Sequence, residues 1–349
     1  MAKRRLKPKV RIAASVISVV FVAVIAYGAY IFTNEYHYRF SEAVLRGGNL
    51  KVYPGMTLYE IAELLTTEGF IASSEKMLRY AYRHDRDTVQ VGNYDLVKGS
   101  NYRTLLNAFA LGQQTPIRLT FNSFRTVESM AGAIARRTLA DSADFMRVFY
   151  NDSVLRANDF NKQTLIAMFV PNTYEVYWTV TPEEFIDRMK KEYDRFWTSS
   201  RLSKAAKQGF TPVEVSTLAS IIIEETKVAD EMVDVAGVYI NRLRKGMPLQ
   251  ADPTVKFALG DPTIRRVLYR HLEVNSPYNT YKNAGLPPGP ICMSPIVAMD
   301  AVLNYKHHDY YYFCANPDFS GRHVFAKTLS EHNRNAAAYA AELNRRRIR

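Results

Sequence analysis

Cysteine is scarce in this chain, which has only Cys292 and Cys314 among 349 residues. Neither lies in a Cys-x-x-Cys pair, and none of the seven histidines has the i, i+4 spacing of a zinc-binding helix. We therefore expect no metal site and no other cofactor. The sequence does not establish whether the two thiols face each other, and we favour two free, partly buried thiols over a disulfide.

Acidic residues are absent from positions 1–11, which instead hold six lysines and arginines. This cluster supplies half of the formal net charge of +12, so the remaining chain has only a modest basic excess. Further arginines crowd the C-terminus at Arg345, Arg346, Arg347 and Arg349. Because no basic stripe alternates with aromatic residues as in proteins that bind single strands, nucleic acid is not an expected partner.

Long apolar runs are equally rare, and residues 12–32 form the single example. As a helix this run measures about 31 Å, enough to cross a hydrocarbon core of roughly 30 Å. The basic cluster before it predicts a cytoplasmic N-terminus and an extracytoplasmic remainder. A signal peptide cleaved near Ala26 and Gly28 is the alternative, but the run is longer than a usual signal core. We therefore expect an uncleaved, single-pass anchor in the inner (cytoplasmic) membrane.

Shorter periodic segments follow. Apolar side chains spaced i, i+3, i+4 and i+7 from Leu58 to Leu65 predict an amphipathic helix, preceded by a strand signal and a Pro-Gly turn. A second strand signal spans 89–97, and another helical stripe ends at Gly112. Residues 50–112 are therefore predicted to be a small α+β module.

The remaining chain alternates between strand and helix signals, so the predicted fold class is α+β. In the middle region a strand is predicted at 117–121, and helices are predicted at 127–137 and 182–196. The C-terminal region is predicted to be a mixed α/β domain. The expected organisation is a basic tail at 1–11, a transmembrane helix at 12–32, a connector at 33–49, a small module at 50–112, a middle region at 113–200 and a C-terminal domain at 201–349.

The segment most informative about chemistry begins at Thr211, which precedes a proline and has the features of a helix N-cap. On a helical wheel Leu218, Ile222 and Glu225 share one face, whereas Glu224 points elsewhere. A carboxyl group that continues an apolar stripe is desolvated, which raises its pKa toward the value that a general acid needs. Helix geometry alone equally allows Glu225 to lie in solvent at the helix end.

A second helix is predicted from an N-cap at Asp230 to Gly246, and a turn-rich segment follows it. In an extended conformation Gln250, Asp252 and Thr254 would project to one side, where they would suit sugar hydroxyls and amides. Ordinary turn chemistry, with Asp252 accepting backbone N–H bonds, explains the same residues. The spacing alone favours this second interpretation.

Three long segments then carry a resemblance. Residues 219–260, 276–291 and 323–333 closely resemble, in order, the signature of the YceG-like (MltG) endolytic murein transglycosylases. The resemblance implies a LysM-like module at 50–112 and a C-terminal catalytic domain. It also implies cleavage of the β-1,4 bond between N-acetylmuramic acid and N-acetylglucosamine without net addition of water, which leaves a 1,6-anhydromuramic end. Peptidoglycan strands are thus the expected partner, with cell-wall synthases as further candidates.

The resemblance also implies the site. The family signature has two glutamates flanking one residue before a threonine, and its catalytic glutamate is the second, which corresponds to Glu225 before Thr226. The first falls on Ile223, so the chain departs from the pattern there. One carboxyl suffices, because it protonates the leaving oxygen and then accepts the proton of the muramyl C6 hydroxyl. The substrate-binding residues that the match implies are Gln250, Asp252, Thr254, Tyr278, Asn279 and Thr280.

Two other functions remain open. One is a hydrolytic muramidase in which Asp252 activates water, and the mass of the product distinguishes it because hydrolysis adds one water. The other is a non-catalytic scaffold that binds peptidoglycan, for which Glu225→Gln should leave the cellular phenotype intact. For the enzyme, a membrane tether would confine cleavage to nascent strands and thereby limit their length.

Overall fold

A computed structural model describes residues 8–261, 263–264 and 266–346. Positions 1–7 of the predicted basic tail, together with Arg347 and Arg349, lie outside the described residues. The chain forms two compact units, one made by the residues up to Ile117 with 177–179, and the other by 118–176 and the residues from Val180 onward. The mixed α+β fold class is confirmed.

The first helix, α1 (Pro8–Phe40), contains the predicted apolar run and continues into the first residues of the connector. Its stretch Ile12–Thr33 has a mean hydropathy of 2.4, and none of that stretch is buried. A helix of 33 residues measures about 50 Å, which exceeds the thickness of a bilayer core. By length and composition α1 can therefore serve as a membrane anchor.

The remainder of the first unit is a strand, two helices, a strand and a helix. These elements are β1 (Gly48–Val52), α2 (Leu58–Thr67), α3 (Ser74–Arg83), β2 (Gly92–Leu96) and α4 (Tyr102–Ala110). β1 and β2 pair antiparallel, with Leu50 opposite Tyr94. The predicted apolar stripe of α2 is buried against this sheet's core cluster. The sequence patterns did not predict α3, which buries Met77, Tyr80 and Ala81.

Threonine N-caps recur along the chain and explain where several helices begin. At α2 the Thr57 hydroxyl accepts a hydrogen bond from the Glu60 amide at 3.3 Å, and the Glu60 carboxylate accepts one from the Thr57 amide at 2.8 Å. Such reciprocal capping satisfies two backbone donors that the helix leaves free. The same arrangement occurs at Thr126, Thr181, Thr211 and Thr328.

The second unit begins with a paired β3 (Ile117–Thr120) and β4 (Thr173–Val176) and a group of helices. The helices are α5 (Val127–Ala135), α6 (Ser142–Phe149), α7 (Asp152–Ala157), α8 (Pro182–Phe196) and α9 (Ser199–Gln208). Phe145, Phe149 and Phe185 are fully buried and meet ring against ring at 5.7–6.2 Å between centroids. This aromatic cluster forms the core of the middle region.

The remaining elements surround one helix, α10 (Pro212–Glu225), in which every residue from Val215 to Ile222 is buried. They are α11 (Met232–Arg244), α12 (Asp252–Leu259), α13 (Ile296–Leu303), β5 (Tyr312–Ala315), β6 (His323–Ala326) and α14 (Leu329–Arg345). Two serines of α10 are satisfied by the segment before α13: the Ser294 hydroxyl donates to the Ser216 carbonyl at 2.6 Å, and the Ile291 amide donates to the Ser220 hydroxyl at 3.0 Å. α10 is thus held on all sides, which fixes the position of its last residue.

Two local expectations were wrong. Asp230 does not cap α11, which begins at Met232; its carboxylate instead pairs with Arg322 at 2.8 Å. Residues 250–254 are not extended either, because Gln250 adopts a left-handed φ of 53° and α12 begins at Asp252. Proline in the first turn is already set for a helix, and here Pro253 occupies that turn.

A close backbone approach at Gly237 generates the first prediction. A Cβ atom there would lie 2.5 Å from the Lys306 carbonyl oxygen, and the Lys306 amide is itself bonded to the Val233 carbonyl at 3.0 Å. Because the segment cannot easily move away, Gly237→Ala should lower the free energy of unfolding by about 1–3 kcal/mol. Denaturant titration of the full chain in detergent measures this.

Gly132 provides the matched control, since it also lies inside a helix, α5. A Cβ atom there would meet only the flexible end of Arg136, at 3.8 Å. Helix propensity predicts that Gly132→Ala raises the free energy of unfolding by up to about 1 kcal/mol. Equal stability of the two variants would contradict the packing described for α11.

Candidate active site

A cavity of about 370 Å³ lies in the second unit, where α10 ends. Six parts of the chain converge on it: the end of α10, α11, the segment that leads into α12, the loop that contains Tyr281, β5 and α14. The lining residues are Glu225, Tyr239, Arg242, Leu249, Gln250, Asp252, Tyr281, Phe313 and His332. Since most of them are polar or aromatic, the cavity is suited to a polar ligand that has flat apolar faces.

Glu225 is the last residue of α10 and reaches the cavity with a side chain that is only partly exposed. The Tyr239 hydroxyl, from α11, donates a hydrogen bond to its Oε1 at 2.9 Å. The neighbouring Glu224 faces another direction, where its carboxylate pairs with Arg125 at 2.8 Å and Lys227 at 3.3 Å. The two adjacent glutamates therefore have separate environments, as the helical wheel predicted.

Burial raises the pKa of Glu225 to about 7. The hydrogen bond from Tyr239 opposes this rise because it stabilises the carboxylate, whereas the negative charge of Asp252 adds to it. Near neutral pH the carboxyl is therefore present in both protonation states. A group in this condition can donate a proton in one step and accept one in the next.

Tyr239 is a fixed donor to that carboxyl. It is 2% exposed, and burial raises its pKa well above the ordinary value, so its hydroxyl keeps its proton. The ring of Phe313, from β5, packs edge-on against it with 5.7 Å between centroids. The hydroxyl therefore has little freedom to turn away from Glu225.

A buried carboxylate anchors the backbone that follows Glu225. Glu231 is 4% exposed; its Oε2 accepts a hydrogen bond from the Thr226 hydroxyl at 3.0 Å, and its Oε1 accepts one from the His323 amide at 2.7 Å. The His323 Nδ1 lies 2.8 Å from the same carboxylate. Glu231 thus connects Thr226, the residue after Glu225, to His323 in β6. β6 in turn pairs with β5, the strand that contains Phe313.

Arg242 organises the opposite side of the cavity. Its Nε donates to the Tyr311 carbonyl at 2.6 Å, and its Nη1 donates to the Leu249 carbonyl at 2.9 Å and to Gln250 Oε1 at 3.3 Å. The guanidinium group is mostly buried, so these acceptors replace its lost hydration. It fixes the loop before α12 relative to β5.

Two of the residues implied by the resemblance lie beside Glu225 in this cavity, namely Gln250 and Asp252. The Tyr281 hydroxyl donates to Asp252 Oδ1 at 2.7 Å, which orients that carboxylate. Asp252 is exposed at the start of α12, and its charge acts on Glu225.

The other four substrate-binding residues that the resemblance implies do not line this cavity. Thr254 and Thr280 are buried and share a hydrogen bond of 2.8 Å between their hydroxyls. Asn279 is buried too, and its amide nitrogen donates to the Leu272 and Val274 carbonyls at 2.8 Å each. α12 turns the Thr254 side chain inward. Together with Asn279 and Thr280, this side chain fixes the loops behind the cavity. Tyr278 lines a separate cleft.

Sequence reasoning missed several members of the site. Tyr239 falls on the apolar stripe of the helix predicted after Asp230, and a tyrosine in such a stripe needs a partner for its hydroxyl. Tyr281 and His332 lie within or beside the segments that carried the resemblance. The ring of His332 stacks on Tyr312 at 5.5 Å, and burial together with the Arg242 charge lowers its pKa. Its imidazole is therefore uncharged at neutral pH.

The cysteines lie away from this chemistry. Cys292 is buried and Cys314 is half-buried, and both thiols are free, as the sequence analysis favoured. Burial raises the pKa of Cys292 to about 12, which keeps it a thiol. Within the described parts of the chain, no group of three or more His, Cys, Asp or Glu side chains is placed to hold a metal ion.

Comparison with known proteins adds an independent finding. The model of the YceG-like family matches residues 50–338. The endolytic murein transglycosylase of Bacillus subtilis (strain 168) is 30% identical, over 85% of this chain and 86% of the relative. The protein of the same description from Streptococcus pneumoniae (strain D39) is 25% identical, over 92% of this chain but only 64% of its own length.

Among solved structures, a yceG-like protein from Listeria monocytogenes matches with a TM-score of 0.56 and 31% identity. The match covers 82% of this chain and 98% of that one. The family model, the relatives and the solved structure agree with one another. The chain belongs to the YceG-like family.

Proposed function

We propose that this protein is a membrane-anchored lytic transglycosylase that cleaves peptidoglycan strands internally. Its substrate bond is the β-1,4 linkage between N-acetylmuramic acid and N-acetylglucosamine, and its product carries a 1,6-anhydromuramic end. The observation that carries the proposal is Glu225, a carboxyl with a pKa near 7 in a polar cavity. The relatives named endolytic murein transglycosylases support the same activity.

The reaction uses one carboxyl in two roles. Protonated Glu225 gives its proton to the glycosidic oxygen as the bond to the muramyl C1 breaks, which releases the N-acetylglucosamine side as an alcohol. The C6 hydroxyl of the same muramyl residue then attacks C1, and its proton passes to the Glu225 carboxylate. The enzyme returns to its initial state, and no water is consumed. A pKa near 7 suits both steps, because the group must give a proton and take one back at a single pH.

Tyr239 and Asp252 set that pKa from opposite directions. The Tyr239 hydroxyl stabilises the charged form, which follows the first step, while the charge of Asp252 favours the protonated form, which begins it. We assign Gln250 and Asp252 to contacts with the sugar hydroxyls and amides, and Tyr281 to the orientation of Asp252. Thr254, Asn279 and Thr280 act indirectly in this proposal, by holding the loops that present those groups.

The proposal extends to the arrangement in the cell. α1 would cross the inner membrane once with the N-terminus in the cytoplasm, and the residues that follow it would be extracytoplasmic. The strand–helix–helix–strand order of β1 to β2, with the strands antiparallel, supports a LysM-like module within 50–112. The middle region at 113–200 and the catalytic domain at 201–349 complete the organisation. Tethering would restrict cleavage to strands made near the bilayer, and cell-wall synthases are candidate partners.

A hydrolytic muramidase is a second candidate, because Asp252 supplies another carboxylate to the same cavity. In that reaction Asp252 would activate a water. Mass spectrometry of the products separates the two reactions, since the hydrolytic product is heavier by one water.

Replacement of the acid tests the proposal directly. Glu225→Gln keeps the shape of the side chain but cannot cycle a proton, so the release of anhydro-ended fragments should fall by at least about 10²-fold. Purified sacculi or uncrosslinked strands serve as substrate, with products identified by mass. Glu224→Gln is the matched control and should retain most of the activity, because Glu224 faces away from the cavity and its charge influences the pKa of Glu225 less than burial, Tyr239 or Asp252 does. Wild-type activity in Glu225→Gln would remove Glu225 from the mechanism.

The pH dependence of kcat/KM provides a further prediction. The free enzyme is active when Glu225 is protonated, and protonation is lost as pH rises through the pKa. The value of kcat/KM should therefore fall above about pH 7. An unchanged kcat/KM across pH 6–8, a range of roughly one unit on each side of this pKa, would exclude Glu225 as the general acid.

Two substitutions should move this decline in opposite directions. Tyr239→Phe removes the hydrogen bond that stabilises the carboxylate, so the pKa of Glu225 should rise and the decline should begin at higher pH. Asp252→Asn removes a nearby negative charge, so the decline should begin at lower pH. Rate–pH profiles of the two variants beside wild type measure this, and shifts of the same sign would disprove the assigned roles.

A further inference from the structure

A second cleft, of about 300 Å³, lies in the same unit and contains Tyr278. Its aromatic side is formed by Tyr278 and Phe257, whose ring centroids are 4.7 Å apart. Ile166 and Pro290 add apolar surface, and Gln163 adds an amide. Flat aromatic surface beside a few polar groups is a common setting for a sugar ring, which has apolar faces and polar edges.

The chain connects this cleft to the first cavity at two places. α12 begins at Asp252, in the first cavity, and places Phe257 in the second cleft five residues later, about 7.5 Å along the helix axis. Tyr281 lines the first cavity and Tyr278, three residues earlier, lines the second cleft. The same two segments therefore contribute to both.

The end of α10 makes a third connection. Glu225 lies in the first cavity, and its neighbour Glu224 pairs at 2.8 Å with Arg125, which lines the second cleft. Three separate segments thus contribute to both clefts or connect their linings.

Each charged side chain that lines the second cleft has a partner in the protein. Arg125 pairs with Glu224, while Glu128 accepts a hydrogen bond from the Tyr150 hydroxyl at 2.6 Å. The Lys162 ammonium lies 5.9 Å from the centre of the Tyr150 ring. Because these charges already have partners, a ligand can bind here through its apolar faces and neutral polar groups.

One wall of the cleft depends on a glycine. A Cβ atom at Gly289 would lie 2.2 Å from the Gln163 carbonyl oxygen. Only glycine allows the two backbones to approach so closely. This contact brings Pro290 and Gln163 together, so the loop at residues 285–290, which contains three prolines, forms part of the cleft.

We infer that the second cleft is a subsite for a further N-acetylated sugar of the same glycan strand, beyond the two sugars whose bond is cleaved. The inference rests on the proposed function. Tyr278 provides the main contact through its ring, so it acts as a binding residue at a distance from the reacting bond. Strands long enough to occupy both clefts gain affinity that short ones lack.

The test measures kcat/KM on uncrosslinked glycan oligomers of increasing length, using the full chain in detergent. For wild type, kcat/KM should rise with length until both clefts are occupied. Tyr278→Ala should reduce the ratio of kcat/KM for long over short oligomers by about 2- to 10-fold, the scale of one aromatic contact. Tyr278→Phe retains the ring and should keep the wild-type ratio.

Tyr269→Ala is the matched control, because Tyr269 is 91% exposed and lies in neither cleft. This control should keep the wild-type ratio. If Tyr278→Ala lowers kcat/KM by the same factor at all oligomer lengths, the ratio for long over short oligomers stays unchanged, and the inference is overturned. The length dependence should also persist on strands stripped of stem peptides, and its disappearance there would assign the cleft to the peptide instead.

The proposed function and the proposed subsite are contradicted by different results. If wild type releases no anhydro-ended product at any length, the proposed function is wrong. If wild type cleaves short and long oligomers equally well, the function stands and only the subsite is removed.

Discussion

The hydrogen bond from Tyr239 to Glu225 joins α10 and α11 where both line a cavity. Because α10 is buried from Val215 to Ile222 and ends in this cavity, burial is the largest influence on the pKa of its final carboxyl. The tyrosine hydroxyl partly compensates by stabilising the charged form. The balance between burial and this single donor is what leaves the carboxyl able to give and receive a proton near neutral pH.

The rest of the second unit maintains that balance. Glu231 fixes the backbone immediately after Glu225 and ties it to β6, while Arg242 holds the loop that carries Gln250 to the segment before β5. Both side chains are buried and bonded to several polar groups, mostly backbone carbonyls for Arg242 and both side-chain and backbone groups for Glu231, so loss of either would leave polar groups unpaired. Burial of such groups costs free energy that a core serving only stability would not need to spend. Their presence around Glu225 fits a site whose geometry must be held in place.

Local signals in the sequence predicted much of the fold and part of the site. The helix start at Thr211 follows from capping chemistry, and the position of Glu225 on an apolar face follows from helical periodicity. By contrast, the roles of Tyr239 and Thr254 depend on contacts between segments far apart in sequence. Tyr239 lies on the apolar stripe of its helix and yet lines the cavity. Thr254, which the resemblance implies in substrate binding, is buried.

A direct measurement of the ionisation of Glu225 tests the central claim without reference to turnover. Carbon-13 NMR of protein labelled at glutamate carboxyls, compared with Glu225→Gln to assign the signal, gives the titration midpoint of this one group. The account predicts a midpoint near 7 for Glu225. A midpoint close to the ordinary glutamate value of about 4.3 would contradict it.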